Sequence, residues 1–293
     1  MGGVILVWAD IIVQGVLLGG LYALYATGLS LIFGIMRLVN LAHGDLIVAA
    51  AFLILALAQY AGINTVVAFA ISIPVMFVLG YGLQRFLLNR TLGTDILPPL
   101  LVTFGLSIVI QNALLQTFSA NTQRLPLGSI SGISVPLGGG IAAGIMPLLS
   151  LVAAVAVVFG LNQLFYRTPL GRALRATSDD AETAQLMGIN NARVYAVAMG
   201  LALAVCAVAA FFLGSRSTFD PTTGPARLIY AFEAVIIGGL GSLWGTLAGG
   251  IVVGLAQAVG ARINPEWQIL SGHLAFLVVL ILKPRGLFPR AFD

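Results

Sequence analysis

Residues 230–260 read YAFEAVIIGGLGSLWGTLAGGIVVGLAQAVG. From 234 to 261 there is no formal charge, yet Gly238, Gly239, Gly241, Gly245, Gly249, Gly250 and Gly254 interrupt the apolar run. A helix needs about 20 apolar residues to cross a bilayer, and this run is too broken to be one straight helix. The spacing predicts a short half-helix over 229–238, a glycine break, and a returning helix over 244–260. Broken backbone at membrane depth is tolerated only where protein or a water-filled cavity satisfies it, and transport pathways are commonly built there. Small-xxx-small helix packing through Gly241, Gly245 and Gly249 is the plainer reading, and the two are compatible.

The rest of the chain has the same character. Of 293 residues, 59% are hydrophobic and 8% charged, with a mean hydropathy of +1.05. A soluble chain this long would carry roughly 73 charged residues; this one has 14 Lys/Arg and 10 Asp/Glu. Charge-free stretches also cover 11–36, 46–84, 96–123, 125–166, 194–215 and 267–282. The second splits at Gly62-Ile63-Asn64-Thr65, and 125–166 opens with a Gly/Ser/Pro-rich loop over 126–140. The expectation is an all-α polytopic membrane protein with about eight hydrophobic helical units, two of them glycine-broken or re-entrant. The whole of 1–293 is expected to form one transmembrane domain in the lipid bilayer. Residues 1–10 lack a basic n-region, so the first apolar run is expected to be a retained helix.

Basic residues gather at Arg85 and Arg90, at Arg167, Arg172, Arg175 and Arg193, and at Lys283, Arg285 and Arg290. The positive-inside rule places these on the cytoplasmic side, and 214–228 on the opposite one. Parity from Arg193 to Lys283 works if 230–260 enters and returns on one side. Residues 11–36 also carry glycines and lead into a polar loop over 37–45 and a helix over 46–61. Segments 1–90 and 200–290 therefore read as a weak internal repeat in parallel orientation. Lone Cys206 and two histidines, His43 and His273, exclude a disulfide framework and argue against any metal site. A pI near 9.6 is explained by topology and does not require nucleic acid.

The one sizeable polar segment, 167–193, is RTPLGRALRATSDDAETAQLMGINNAR. Thr168-Pro169 is a helix start. Thr177 and Asp180 have capping-box spacing, with Asp179, Asp180 and Glu182 in a first turn, which predicts a helix over 178–187. Gly188 would end it in the left-handed conformation. Leu186 and Met187 would then be apolar side chains outside the bilayer, suited to a partner's groove. Asn191 is expected to be a minor position.

Glu182-Thr183-Ala184, then Gly188, resembles the EAA---G coupling motif of ABC importer permeases, with Thr183 where that motif has alanine. The wider GRALRATSDDAETAQLMGIN (171–190), GLSLIFGIMRLVNLAHGDLIVAAAF (28–52) and FEAVIIGGLGSLWGTLAGGIVVGLAQ (232–257) resemble the LivH-type permeases of branched-chain amino acid importers. The resemblance implies a bacterial inner-membrane permease that pairs with a LivM-like permease. It also implies two ATP-binding subunits and a periplasmic amino-acid-binding protein. It assigns Glu182, Thr183, Ala184, Leu186, Met187 and Gly188 to coupling. No G-x-x-x-x-G-K-[ST] sequence occurs, so ATP hydrolysis would belong to the partners. No cofactor is implied.

Translocation-path candidates are Asn40, His43 and Asp45 in the first break and Gly238, Gly239 and Gly241 in the second, since intramembrane polar groups are functional suspects. Asp45 could pair with Arg37, or simply stabilise its own helix start. Glu233 could pair with Arg227 or equally occupy a juxtamembrane surface position, and His273 reads as a packing histidine beside Ser271 and Gly272. An ion-coupled secondary transporter would carry coupling carboxylates at mid-membrane, for which only Asp45 and Glu233 are near candidates. An intramembrane enzyme would need paired Asp, Ser/Lys or HExxH groups, which are missing. A permease for branched-chain amino acids, or for urea, amides or other small acids, is the remaining reading.

Overall fold

The computed structural model describes residues 2–93, 96–128, 132–138 and 140–288; Arg290 lies outside them. Among these residues are α1 (Gly2–Met36), α2 (His43–Gln59), α3 (Thr65–Phe86), α4 (Leu97–Phe118), α5 (Ile145–Arg167), α6 (Pro169–Asp179), α7 (Ala181–Leu186), α8 (Asn191–Arg216), α9 (Gly224–Gly238), α10 (Leu243–Ile263) and α11 (Trp267–Leu282). A small antiparallel hairpin, β1 (Ser134–Gly138) and β2 (Ile141–Gly144), sits where the sequence suggested only a loop. Helices α1, α3, α4, α5, α8 and α10 are long and apolar enough to cross a membrane, and α2 and α11 are shorter apolar helices. The expected half-helix and returning helix are α9 and α10.

Cross-links define two ends of the bundle. At one, Asn89 Nδ2 donates to the Ala192 carbonyl, Ser178 Oγ to the Gly34 carbonyl, and the Leu287 and Phe288 amides to the Ile237 and Gly238 carbonyls. The described basic clusters lie at this end, the one that the positive-inside rule expects on the cytoplasmic side. At the other, Arg216 reaches the Leu17 carbonyl, Thr65 the Pro126 carbonyl, and Gln123 pairs with Phe219.

The repeat is real, but its register and hand differ from the expectation. Helix α1 packs along α10 as α8 packs along α3, and α2 meets α4 as α9 meets α11. The units are thus α1–α4 and α8–α11. Their connecting segments, 37–42 and 217–223, match in detail. Asn40 Oδ1 accepts from the Ala42 amide, and Asp220 Oδ1 from the Thr222 amide. The His43 amide donates to the Asn40 carbonyl, and the Thr223 amide to that of Asp220. Helices α1 and α8 run antiparallel, since Arg216 bonds Leu17 while Gly28 abuts Ala202. The repeat is inverted. The glycine-rich runs before α2 and α10 suggest those two as equivalents, whereas α2 and α9, which follow the matching turns at 40–43 and 220–223, are the true equivalents.

This inversion also corrects the placement of the breaks. Segment 37–42 climbs from the cytoplasmic end back to the depth of Tyr25, where His43 starts α2. Segment 217–223 descends from the outer end to start α9 beside Asp45, so 214–228 is not an external loop throughout. The glycine turn at 239–242 instead lies at the cytoplasmic end. Parity holds because 217–223 and α9 together make a full crossing.

Candidate translocation site and coupling surface

Two short helices aim their N-termini at one another inside the membrane. A Cβ on Gly224 would come within 2.0 Å of Asp45 Oδ1, so the carboxylate lies against the start of α9 as well as in the first turn of its own helix. Partial positive charge at both helix starts suits an anion. Asp45 is buried and accepts from Ser107 Oγ at 2.6 Å and Gln111 Nε2 at 3.0 Å. Its partners are therefore on α4, not Arg37, which is exposed. Thr103 continues the same α4 stripe by accepting from the Leu41 amide at 3.2 Å. The positions 103, 107 and 111 recur every four residues, a polar stripe on an apolar helix that sequence reasoning passed over.

Asn40 is fully buried, with Oδ1 occupied by the Ala42 amide and Nδ2 without a partner. His43 is equally buried, 2.8 Å from the Tyr25 carbonyl and 3.8 Å from Cys206 Sγ. Asn40, His43 and Asp45 thus cluster where the re-entrant chain becomes helix. Gly238, Gly239 and Gly241 do not join them. A Cβ on Gly238 would sit 2.2 Å from the Gly245 carbonyl oxygen, and Gly239 and Gly241 have φ of 106° and 77°. They form the tight α9–α10 turn. Gly241 there lines a small cavity with Ser30, Asn162 and Trp244.

Glu233 is buried on α9 and bonds His273 Nδ1 on α11, rather than Arg227. His273 is accordingly more than a packing residue. Its other neighbour is Tyr230, whose ring stacks on it with centroids 6.5 Å apart.

The polar segment 167–193 forms two helices, α6 and α7, where one was expected over 178–187. Thr168 caps α6 by accepting from the Gly171 amide at 3.0 Å. Helix α6 ends at Asp179, and Asp180 caps α7, accepting from the Glu182 and Thr183 amides at 3.0 Å each and from Thr183 Oγ1 at 2.5 Å. Those bonds, the Thr183 hydroxyl first, hold the exposed Asp180 carboxyl below its usual range. The hydroxyl also gives a reason for threonine where the motif has alanine. Thr177 plays no capping part; it donates to Asn191 Oδ1 at 3.2 Å, while Asn191 Nδ2 donates to the Ala181 carbonyl at 2.6 Å. Gly188, with φ of 87°, closes α7, and the Ile189 amide bonds the Ala184 carbonyl at 3.0 Å. Ala184 faces inward, Glu182 and Thr183 face solvent, and Leu186 and Met187 are 87% and 79% exposed.

The family described as branched-chain amino acid transport system, permease component, matches residues 11–282. The chain is 31% identical to the high-affinity branched-chain amino acid transport system permease protein BraD of Pseudomonas aeruginosa, with 95% of each chain covered. It is 28% identical to the corresponding protein LivH of Escherichia coli, with 94% of each covered. Among solved structures, PsaBC from Streptococcus pneumoniae in complex with Fab is similar with a TM-score of 0.51 at 13% identity, over 93% of this chain and 91% of that one. That last likeness is one of fold.

Proposed function

Since the chain belongs to the family of permease components of branched-chain amino acid transport systems, we propose that it forms half of the translocation pathway of an ATP-driven importer for these amino acids. The whole of 1–293 acts as one permease domain in the bacterial inner membrane. A LivM-like permease supplies the other half, two ATP-binding subunits dock from the cytoplasm, and a periplasmic binding protein delivers the solute. The observation that carries this reading is α7. It holds Leu186 and Met187 out at the cytoplasmic end, braced by Asp180, Asn191 and Gly188 rather than left as a loose loop. Exposed apolar side chains on a fixed helix suit a groove in a partner.

In this reading the re-entrant segments move the substrate. Asn40, His43 and Asp45 stand where the two half-helices converge, the arrangement by which membrane transporters place polar groups without exposing backbone to lipid. Gly238, Gly239 and Gly241 serve as the hinge between α9 and α10. The chain itself performs no ATP hydrolysis. Reconstitution with its partner chains in proteoliposomes tests the proposal. ATP-dependent accumulation of radiolabelled leucine, absent without the ATPases and weaker for urea, is expected. Uptake by this chain without ATPases would overturn it.

A further inference from the structure

Beside α7 the chain carries an open cleft of 600 Å³, on the ~300–1,000 Å³ scale of binding clefts. Its walls come from the short 3-10 helix Leu88–Arg90, from α7 and the turn that follows it, and from the start of α8. Asn89 is already committed there, donating to the Ala192 carbonyl and accepting from Gln84. The Gln185 side-chain amide, Asn190 Nδ2 and the Tyr195 hydroxyl also line the cleft and make no hydrogen bond among the described residues. Gln185 and Asn190 are exposed, so these groups are within reach of a partner. Two exposed arginines, Arg90 and Arg193, directly follow the lining residues Asn89 and Ala192. Among the described residues that line the cleft none is acidic. Free donors beside cations, with no carboxylate opposing them, suit an anionic group.

We propose that the cleft receives an acidic side chain of the ATP-binding subunit that α7 engages, so that the contact runs both ways. Leu186 and Met187 enter the ATPase, and a carboxylate of the ATPase enters the cleft. This rests on the proposed docking of α7 and supplies the second half of that contact. The occupant follows from place and charge. Gln185 and Gly188 line the cleft, and the two residues between them are the exposed Leu186 and Met187. A protein that grips that tip therefore covers the cleft as well. Gly188, in its left-handed turn, carries the chain round the rim without a Cβ to fill it. The apolar tip gives contact area with little direction, whereas charge-assisted hydrogen bonds fix orientation. The donors come from α7 at 185 and from the start of α8 at 190 and 195. A carboxylate held by them ties the six-residue α7 to α8, whose buried length runs into the bundle core. Motion of the ATPase then reaches a membrane helix directly.

The test uses the complete importer. Asn190→Asp keeps the cap of α8, since either side chain can accept from the Arg193 amide, but sets a negative charge in the cleft. Gln185→Glu does so from α7, and Gln185→Lys sets the opposite charge at the same position. ATPase co-purification and leucine uptake should fall about tenfold for Asn190→Asp and Gln185→Glu, as like charges brought together require. Gln185→Lys should retain both, and raising the salt concentration should narrow the gap between the variants. An effect on folding alone would favour aspartate at a helix start, the reverse of the expectation at 190. A water-soluble carbodiimide should then join the amine of Gln185→Lys to an Asp or Glu of the ATP-binding subunit, located by mass spectrometry. Equal behaviour of Gln185→Glu and Gln185→Lys, or no such link, overturns the cleft while leaving the docking of α7 intact. Retention of the ATPases by Leu186→Asp with Met187→Asp overturns that docking, and the cleft with it. Should Gln185→Lys not reach the membrane, Asn190→Asp against the parent decides, unchanged association overturning the cleft.

Discussion

Gly44 and Gly224, related by the internal repeat, meet backbone to backbone: a Cβ on Gly44 would lie 2.0 Å from the Gly224 carbonyl oxygen. Neither helix start can retreat, because each is fixed by its own re-entrant segment. Gly44→Ala and Gly224→Ala should therefore both be severe, at or above the ~1–3 kcal/mol of ordinary overpacking. Gly160→Ala, with nothing within 4 Å, should be neutral or gain up to about 1 kcal/mol of helix propensity. Membrane yield and melting temperature in detergent check this; a well-folded Gly44→Ala protein would refute the close crossing.

Asp45 ties that crossing to α4 through Ser107 and Gln111. Asp45→Ala leaves the buried Ser107 hydroxyl without its acceptor and Gln111 Nε2 with Ser107 Oγ alone, costing about 1–3 kcal/mol for the group left unsatisfied. Asp45→Asn retains one acceptor and should be milder. Uptake beside thermal stability separates the two effects: if Asp45→Ala is as stable as the parent, the network does not hold α4.

Topology gives a labelling test. Asn190 precedes α8 at the cytoplasmic end, whereas Asn264 lies between α10 and α11 at the outer end. Cysteine at 264 should react with an impermeant thiol reagent in intact spheroplasts, and cysteine at 190 only after permeabilisation. Native Cys206 is buried and should stay silent. Reaction of position 190 from outside would reverse the assigned sides.

The membrane class, the number of apolar units and the exposed Leu186 and Met187 were legible because charge scarcity and helix punctuation are local signals. Boundaries such as α9 and α10 followed from the same glycines. The repeat was not legible in its true form. Its equivalence lives in Asn40 and Asp220, two different residues that make the same turn 180 positions apart. Partners of Asp45 and Glu233 were missed for a related reason: Ser107, Gln111 and His273 are distant in sequence and meet only through packing. Arg37 and Arg227 were the nearby cations, and proximity along the chain was a poor guide.

Asp180 carries a pH prediction. Hydrogen bonds from Thr183 and Glu182 lower its carboxyl in the folded loop. A depressed folded value means that the stabilisation is complete above the unfolded value, about 3.9, and fades only as pH falls through the folded one. Association with the ATPases should therefore not change through this group between about pH 8 and pH 5. Asp180→Asn should keep the cap and Asp180→Ala should lose it, seen as weaker ATPase co-purification for alanine alone. Equal weakening by asparagine would show that charge, not capping, matters.

Coupling itself is tested at the tip of α7. Leu186 and Met187 touch little within the chain, so Leu186→Asp with Met187→Asp should alter stability by no more than about 0.5 kcal/mol per site, as at other exposed positions. Uptake and ATPase co-purification should nevertheless collapse, because a charged tip cannot enter an apolar groove. Gly188→Val should act more weakly and by another route. The left-handed φ costs a β-branched residue about 1–2 kcal/mol, while a Cβ at this position meets nothing within 4 Å, so the space around it is open to the partner. Asn191→Ala, which frees the Ala181 carbonyl and Thr177, should loosen α7 from α6 and α8 and lower uptake without blocking docking. Radiolabelled leucine uptake and ATPase pull-down from the same membranes rank the three. If the double aspartate variant transports and retains its ATPases like the parent, α7 is not the coupling helix.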